Sequence, residues 1–170
     1  MKLYAAKIPV IGAEVVKTLV DGKDIAVTDR HEAELDVAAV LKEYLRLDKE
    51  ITDKVKDILE KRGLPYEQFG KVKRAVANEK GLGLGDDSLE WMTNQMIESF
   101  MQSPHVEEVF VEDGVLRKKM ADILKRHMNV EDDLDQEVRR RIKNLQEGTS
   151  TYEIEYQKAL DQIKRNRGLD

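Results

Sequence analysis

Apolar residues recur at threes and fours through most of this chain, the spacing that lines one face of an α-helix. After Asp29 the run is Leu35, Val37, Val40, Leu41, Tyr44, Leu45, Ile51, Val55, Ile58 and Leu59, which predicts one long amphipathic helix or two with a bend near Leu47. Asp29 suits the N-cap, where its carboxylate accepts a first-turn N–H that has no partner in the helix. Gly63-Leu64-Pro65 ends the run: Gly fits the left-handed C-terminal position and Pro cannot continue a helix. A shorter helix is expected from Tyr66 to about Asn78, with Phe69, Val72 and Val76 on one face. Upstream, Pro9 fits a first helical turn, and Val15, Val16, Leu19 and Val20 continue that helix to Asp21-Gly22-Lys23-Asp24. Ile25-Ala26-Val27-Thr28 is short, mostly β-branched and bounded by polar residues, so it predicts a strand.

The second half follows the same order. Asp86-Asp87-Ser88 are expected to cap a helix bearing Trp91, Met92, Met96, Phe100 and Met101, which Ser103-Pro104 breaks. Val109-Phe110-Val111 predicts the second strand, and pairing it with residues 25–28 would satisfy backbone groups that an isolated strand leaves open. Asp113 opens a helix through Met120, Ile123, Leu124 and His127, and residues 129–133 start another bearing Leu134, Val138, Ile142 and Leu145. Gly148 ends it, and Thr149 or Thr151 caps a last helix through Ile154, Tyr156, Leu160 and Ile163. Val40-Leu41-Lys42, Ile51 and Leu59 align with Ile123-Leu124-Lys125, Leu134 and Ile142 at a constant offset of 83 residues. Amphipathic helices align easily, but a shared order of elements is harder to match by accident. The expectation is a mainly α fold of two pseudo-equivalent helical repeats, residues 1–80 and 88–170, joined by a Gly-rich connector at 81–87 and clasped by one ribbon of residues 25–28 with 109–111.

Composition narrows the class. With 37% charged, 41% hydrophobic and 5% aromatic residues in a chain of 170, the profile is that of long solvated helices rather than a sandwich or barrel. The absence of Cys removes disulfides, thiolate catalysis and cysteine-held metals. Lys7 interrupts any export-type run, and no stretch approaches the ~20 apolar residues of a membrane span, so a cytoplasmic protein without a membrane partner is expected. The net charge of −5 is uneven: residues 1–80 hold 16 Lys/Arg against 15 Asp/Glu, or +1, and residues 81–170 hold 13 against 19, or −6.

Lys2-Leu3-Tyr4 with Lys7-Ile8-Pro9, Leu35-Asp36 to Leu41-Lys42-Glu43-Tyr44, Arg62-Gly63-Leu64-Pro65-Tyr66 with Gln68-Phe69-Gly70-Lys71, His105-Val106-Glu107-Glu108-Val109-Phe110, and Arg139-Arg140-Arg141-Ile142-Lys143-Asn144-Leu145 with Glu153-Ile154-Glu155-Tyr156 give the chain a likeness over essentially its whole length. It resembles a bacterial family catalogued only as a domain of unknown function, number five hundred and seven. The resemblance implies a cytoplasmic bacterial protein. It carries no assigned activity, so no functional residue is transferred from it.

Candidate chemistry is sparse. Gly81 to Gly85 before a helix has the look of a phosphate-cradling loop, but Asp86-Asp87 stand where the anion would sit, and a linker or helix stop explains it better. Asn129, Glu131, Asp133, Asp135 and Glu137 alternate like calcium ligands, yet Leu134 occupies the turning glycine's place; acids in a first helical turn account for the run. His31, His105 and His127 lack a second ligand at helical spacing. Arg139, Arg140 and Arg141 with Lys143, and Arg117-Lys118-Lys119, are the basic clusters; Asp135 and Glu137 lie four residues before Arg139 and Arg141, placed to neutralise them. Trp91, Met96 and Phe100 form a stripe that reads as core or, if exposed, as a partner groove. Tyr66, Gln68 and Phe69, like Tyr152, Glu153 and Tyr156, read as packing and capping residues.

No catalytic, metal or cofactor-binding residue is singled out, and no cofactor is expected. The expectation is a non-enzymatic helical adaptor binding an unidentified protein partner, with Trp91, Met96 and Phe100 as the candidate contact. The alternative is a nucleic-acid- or ribosome-associated factor using Arg139, Arg140, Arg141 and Lys143. The oligomeric state is open.

Overall fold

The computed structural model describes residues 1–169, and the side chains of Glu131 and Asp132 lie outside the described residues. The Glu131 position of the calcium-like run therefore lies outside them too. The elements are α1 (Ile8–Asp21), β1 (Ile25–Val27), α2 (Arg30–Arg62), α3 (Phe69–Lys80), α4 (Asp87–Gln102), β2 (Val106–Val109), α5 (Asp113–Met128), α6 (Val130–Arg141) and α7 (Ser150–Asn166). Single 3-10 turns at Ala5–Lys7 and Tyr66–Gln68 lead into α1 and α3.

The local chemistry explains the boundaries. Pro9 sits in the first turn of α1. The Asp29 carboxylate accepts the Glu32 N–H at 3.1 Å and starts α2, which runs unbroken for 33 residues. Gly63, at φ 60°, ends it, and the Leu64 N–H closes the last turn by donating to the Leu59 carbonyl at 2.9 Å. Thr149 caps α7 by accepting the Tyr152 N–H at 3.2 Å. Asp86 makes no such cap on α4; Ser88 instead donates its hydroxyl to the Gly85 carbonyl at 2.5 Å.

Helices α1, α2, α4 and α5 form a ring in which α1 packs on α2 and α5, and α4 packs on α2 and α5. Ile11, Val15, Leu41, Met92, Met96, Leu116 and Leu124 fill its interior and are fully buried. Each such side chain contributes about 1.5–3 kcal/mol by leaving water. The ribbon closes the end where α1 and α4 finish. It is antiparallel, with Ile25 opposite Val109, Ala26 opposite Glu108 and Val27 opposite Val106. The second strand thus starts three residues before the expected Val109, because a two-stranded ribbon leaves Glu107 and Glu108 in water and needs no apolar alternation.

At the opposite end the chain extends beyond the ring. The second half of α2 buries Ile51, Val55 and Leu59 against α3, which buries Val76 and Ala77. α6 and α7 pack on each other as a hairpin. The apolar clusters divide at residues 128–130 rather than at the Gly-rich connector: one runs from Leu3 to Met128, and a smaller one unites Tyr4 with Val130, Leu134, Val138, Ile142, Tyr152, Ile163 and Leu169.

Candidate functional site

The α2/α3 hairpin leaves Leu64 and Tyr66 exposed beside Ile58, Phe69 and Val72, which pack on the main apolar cluster. The cause is local: Gly63 turns the chain, Pro65 holds it extended at φ −72° and ψ 157°, and the 3-10 turn begins before α3 can cover what precedes it. Tyr66 is left 76% exposed, stacked on Phe69 with ring centroids 5.4 Å apart, and Leu64 is exposed beside it. Between the helices lies a groove of about 380 Å³ lined by Ile58, Leu64, Val72 and Val76 together with the charged residues Arg62, Lys71 and Glu79.

The charges around the groove are not equivalent. Lys61 is engaged by Asp57 at 2.9 Å, Lys73 by Asp48 at 2.9 Å and Lys80 by Glu50 at 2.8 Å. The hydrogen bond and charge of Lys80, joined by Arg46, hold the Glu50 carboxyl below its usual range. Arg62 and Lys71 form no ion pair among the described residues. They leave spare cationic donors in the lining of an apolar slot. Tyr66 was expected to pack; the sequence signal for its exposure was its place directly after Gly-Leu-Pro, beyond the reach of either helix face.

The other expected site residues are dispersed. Met96 and Phe100 are 0% and 2% exposed within the helical ring, so a partner cannot touch them without opening the bundle. For these two the core alternative holds: their helical spacing aims them inward. Trp91 is half-buried, its ring 5.5 Å from that of Tyr44, and Met101 of the same stripe faces water. Arg139 is held by Asp135 at 2.9 Å and Glu147 at 2.7 Å, and Arg141 by Glu137 at 3.2 Å. Arg140 and Lys143 are exposed and form no ion pair among the described residues. In the second basic cluster Arg117 donates to Asn94, Lys118 faces Asp122 and Lys119 binds Asp24.

The remaining candidates have structural roles. His31 lies near Glu34, His105 near Glu32, and His127 bonds Glu14 at 2.5 Å, three separate places. Asp135 also accepts the Tyr156 hydroxyl, and Glu137 pairs with Arg167 as well as Arg141, so these carboxylates tie α6 to α7. Among the described residues no group of His, Asp and Glu is placed to hold a metal ion. The Gly-rich connector is tightly packed at Gly83, whose carbonyl accepts the Tyr44 hydroxyl at 3.0 Å and where a Cβ would lie 2.2 Å from the Asp87 carbonyl oxygen. No helix among the described residues is long and apolar enough to cross a membrane.

A family model described as "Protein of unknown function (DUF507)" matches residues 1–169. No curated protein matches the chain.

Proposed function

The chain belongs to the DUF507 family, whose description assigns no activity, and on that premise we propose that it is a helical adaptor that holds an acidic protein segment in the α2/α3 groove. The observation that carries the reading is the combination at one place of exposed Leu64 and Tyr66 with Arg62 and Lys71, cations without an ion pair among the described residues. Exposed apolar surface rimmed by polar groups marks interaction sites, and a helix-pair groove takes apolar anchors from an amphipathic partner. The cations select acidic over basic partners by complementarity.

A duplicated scaffold fits this role and is part of the proposal. In its support, α1 on α2 has its counterpart in α4 on α5, α2 on α4 in α5 on α1, and α2 on α3 in α6 on α7. Under that equivalence the two hairpins are related, but Arg62 and Lys71 correspond to Leu145 and Ile154 at the offset of 83. The basic groove is then a property of the first half alone.

The nucleic-acid reading has weaker support, since Arg139 and Arg141 already hold carboxylates and Arg140 and Lys143 offer two charges. To test the adaptor reading, a photo-crosslinking residue is placed at Tyr66 and, as a control, at Val115, with irradiation in native cells. The expected result is a discrete protein adduct at position 66, lost on Leu64→Asp and on the pair Arg62→Glu, Lys71→Glu. Equal labelling at both positions, or an adduct indifferent to those changes, would overturn it.

A further inference from the structure

At the end of the helical ring opposite the ribbon, the N-terminal segment, the middle of α2, α3, the Gly-rich connector and the end of α5 enclose a cleft of about 520 Å³. That volume lies within the ~300–1,000 Å³ typical of small-molecule sites. Its walls are unequal. Leu3, Leu45, Leu84 and Met128 supply apolar surface, whereas Lys2, Lys73 and Arg74 supply cations. Asp48 is the acid in the lining, and it already binds Lys73 at 2.9 Å.

The polar atoms deeper in the cleft are committed to the fold. Tyr44 donates to the Gly83 carbonyl at 3.0 Å, and Ser88 donates to the Gly85 carbonyl. Among the described residues no buried side-chain nitrogen or oxygen lacks a hydrogen-bond partner. Burial, reinforced by the charge of Asp48, pushes the Tyr44 phenol up to about 12, so it stays neutral and adds no negative charge to the walls. Among the described residues Arg74 has no hydrogen bond or ion pair, and the Lys2 ammonium rests 5.0 Å from the Tyr4 ring centroid with no side-chain ion pair. Spare donors are therefore cationic, and they stand above a surface that rewards only apolar contact.

We propose that this cleft binds a small amphiphilic anion, its carboxylate or phosphate head held by Arg74 and Lys2 and its apolar body lying against Leu45, Leu84 and Met128. The pairing follows from the walls: a fully polar anion leaves the apolar surface wet, and a neutral apolar molecule leaves the cations unanswered. Guanidinium and ammonium groups both recognise either head, Arg through a paired donor fork and Lys as a point charge. The site is separate from the α2/α3 groove and does not depend on it.

The test is a titration of the full chain with octanoate, octyl phosphate, octanol and acetate, followed by amide chemical shifts. The expected result is saturable shifts at Leu45, Lys73, Leu84 and Met128 with one or both octyl anions, the tighter one identifying the head group. Octanol and acetate are expected to bind at least tenfold more weakly. Arg74→Glu combined with Lys2→Glu is expected to weaken the octyl anions at least tenfold while leaving the thermal melt in place, because both side chains are exposed; Lys143→Glu should change nothing. Equal binding of octanol and octanoate, indifference to the double reversal, or shifts that do not saturate would each overturn the proposal.

Discussion

Asp24 shows how single residues hold the ends of this bundle in place. Its side chain is 4% exposed and its carboxylate accepts from Lys119 of α5 at 2.6 Å, while its backbone carbonyl accepts the Phe110 N–H at 2.9 Å. Lys119→Met is expected to cost about 1–3 kcal/mol, since a buried carboxylate is left without its partner. Adding Asp24→Asn should recover part of that loss in urea unfolding; no recovery would mean the pair is not what the first change removed. Glu14 makes a second clasp from α1 to α5. Burial alone would raise its carboxyl, but hydrogen bonds from His127 at 2.5 Å and Arg126 at 2.6 Å, together with their charge, outweigh burial and hold it below its ordinary 4.5. A carboxyl lowered by folding contributes stability that is present above 4.5 and lost as pH falls through its folded value. Glu14→Gln should therefore narrow the stability difference between roughly pH 5 and pH 2 relative to the parent chain. An unchanged acid limb in urea titrations would show that Glu14 is not the group responsible.

The elements divide by how their apolar faces are covered. α6 and α7 cover each other through Leu134, Val138 and Ile163, and polar links join them where the Tyr156 hydroxyl donates to Asp135 and Arg167 pairs with Glu137. The Tyr156 bond, then Arg139, lowers the Asp135 carboxyl, and the same contact pushes the Tyr156 phenol up to about 12. Tyr156→Phe should cost about 1 kcal/mol and raise amide exchange within 130–169 alone; faster exchange in α1 or α4 would contradict the separateness of the hairpin. Val138→Ala, at a fully buried site, should do the same at about 1–3 kcal/mol. Much of this was legible in the chain. Threes-and-fours spacing located the helices, Asp29 announced the cap of α2, Thr149 was one of the two caps offered for α7, and Gly63-Leu64-Pro65 announced the stop. The edges of β2 were not legible, because Glu107 and Glu108 face water in succession between buried Val106 and half-buried Val109, a pattern with no period-two signal. Nor was the groove legible: Val72 and Val76 read as one face of a helix, and only the turn at Gly63 brings Ile58 and Leu64 alongside them. Met96 and Phe100 read as core or contact for the opposite reason, since spacing specifies a face and cannot say whether that face is covered; the ring covers it.

For the whole molecule the division of the core matters more than the order of elements. The larger cluster runs through α1 to α5 and includes Leu3, while the smaller one joins α6 and α7 to Tyr4. Adjacent residues thus belong to different clusters, and the Lys2 N–H donating to the Met128 carbonyl at 3.0 Å pins that segment where α5 gives way to α6. A cluster of few side chains offsets less conformational entropy than a large one, so residues 130–169 should open at lower denaturant than the ring. The chain's single Trp, Trp91, packs against the larger cluster and reports on it. Urea unfolding followed by Trp91 fluorescence should then lag behind unfolding followed by the amide signals of Leu134, Val138 and Ile163, a breach of two-state behaviour. Tyr4→Ala removes the side chain shared between the N-terminal segment and the hairpin, so it should shift the hairpin transition to lower urea and leave the Trp91 transition nearly in place. Coincident curves that move together on Tyr4→Ala would mean that α6 and α7 are coupled to the ring through more than this segment, and that the molecule unfolds as one unit.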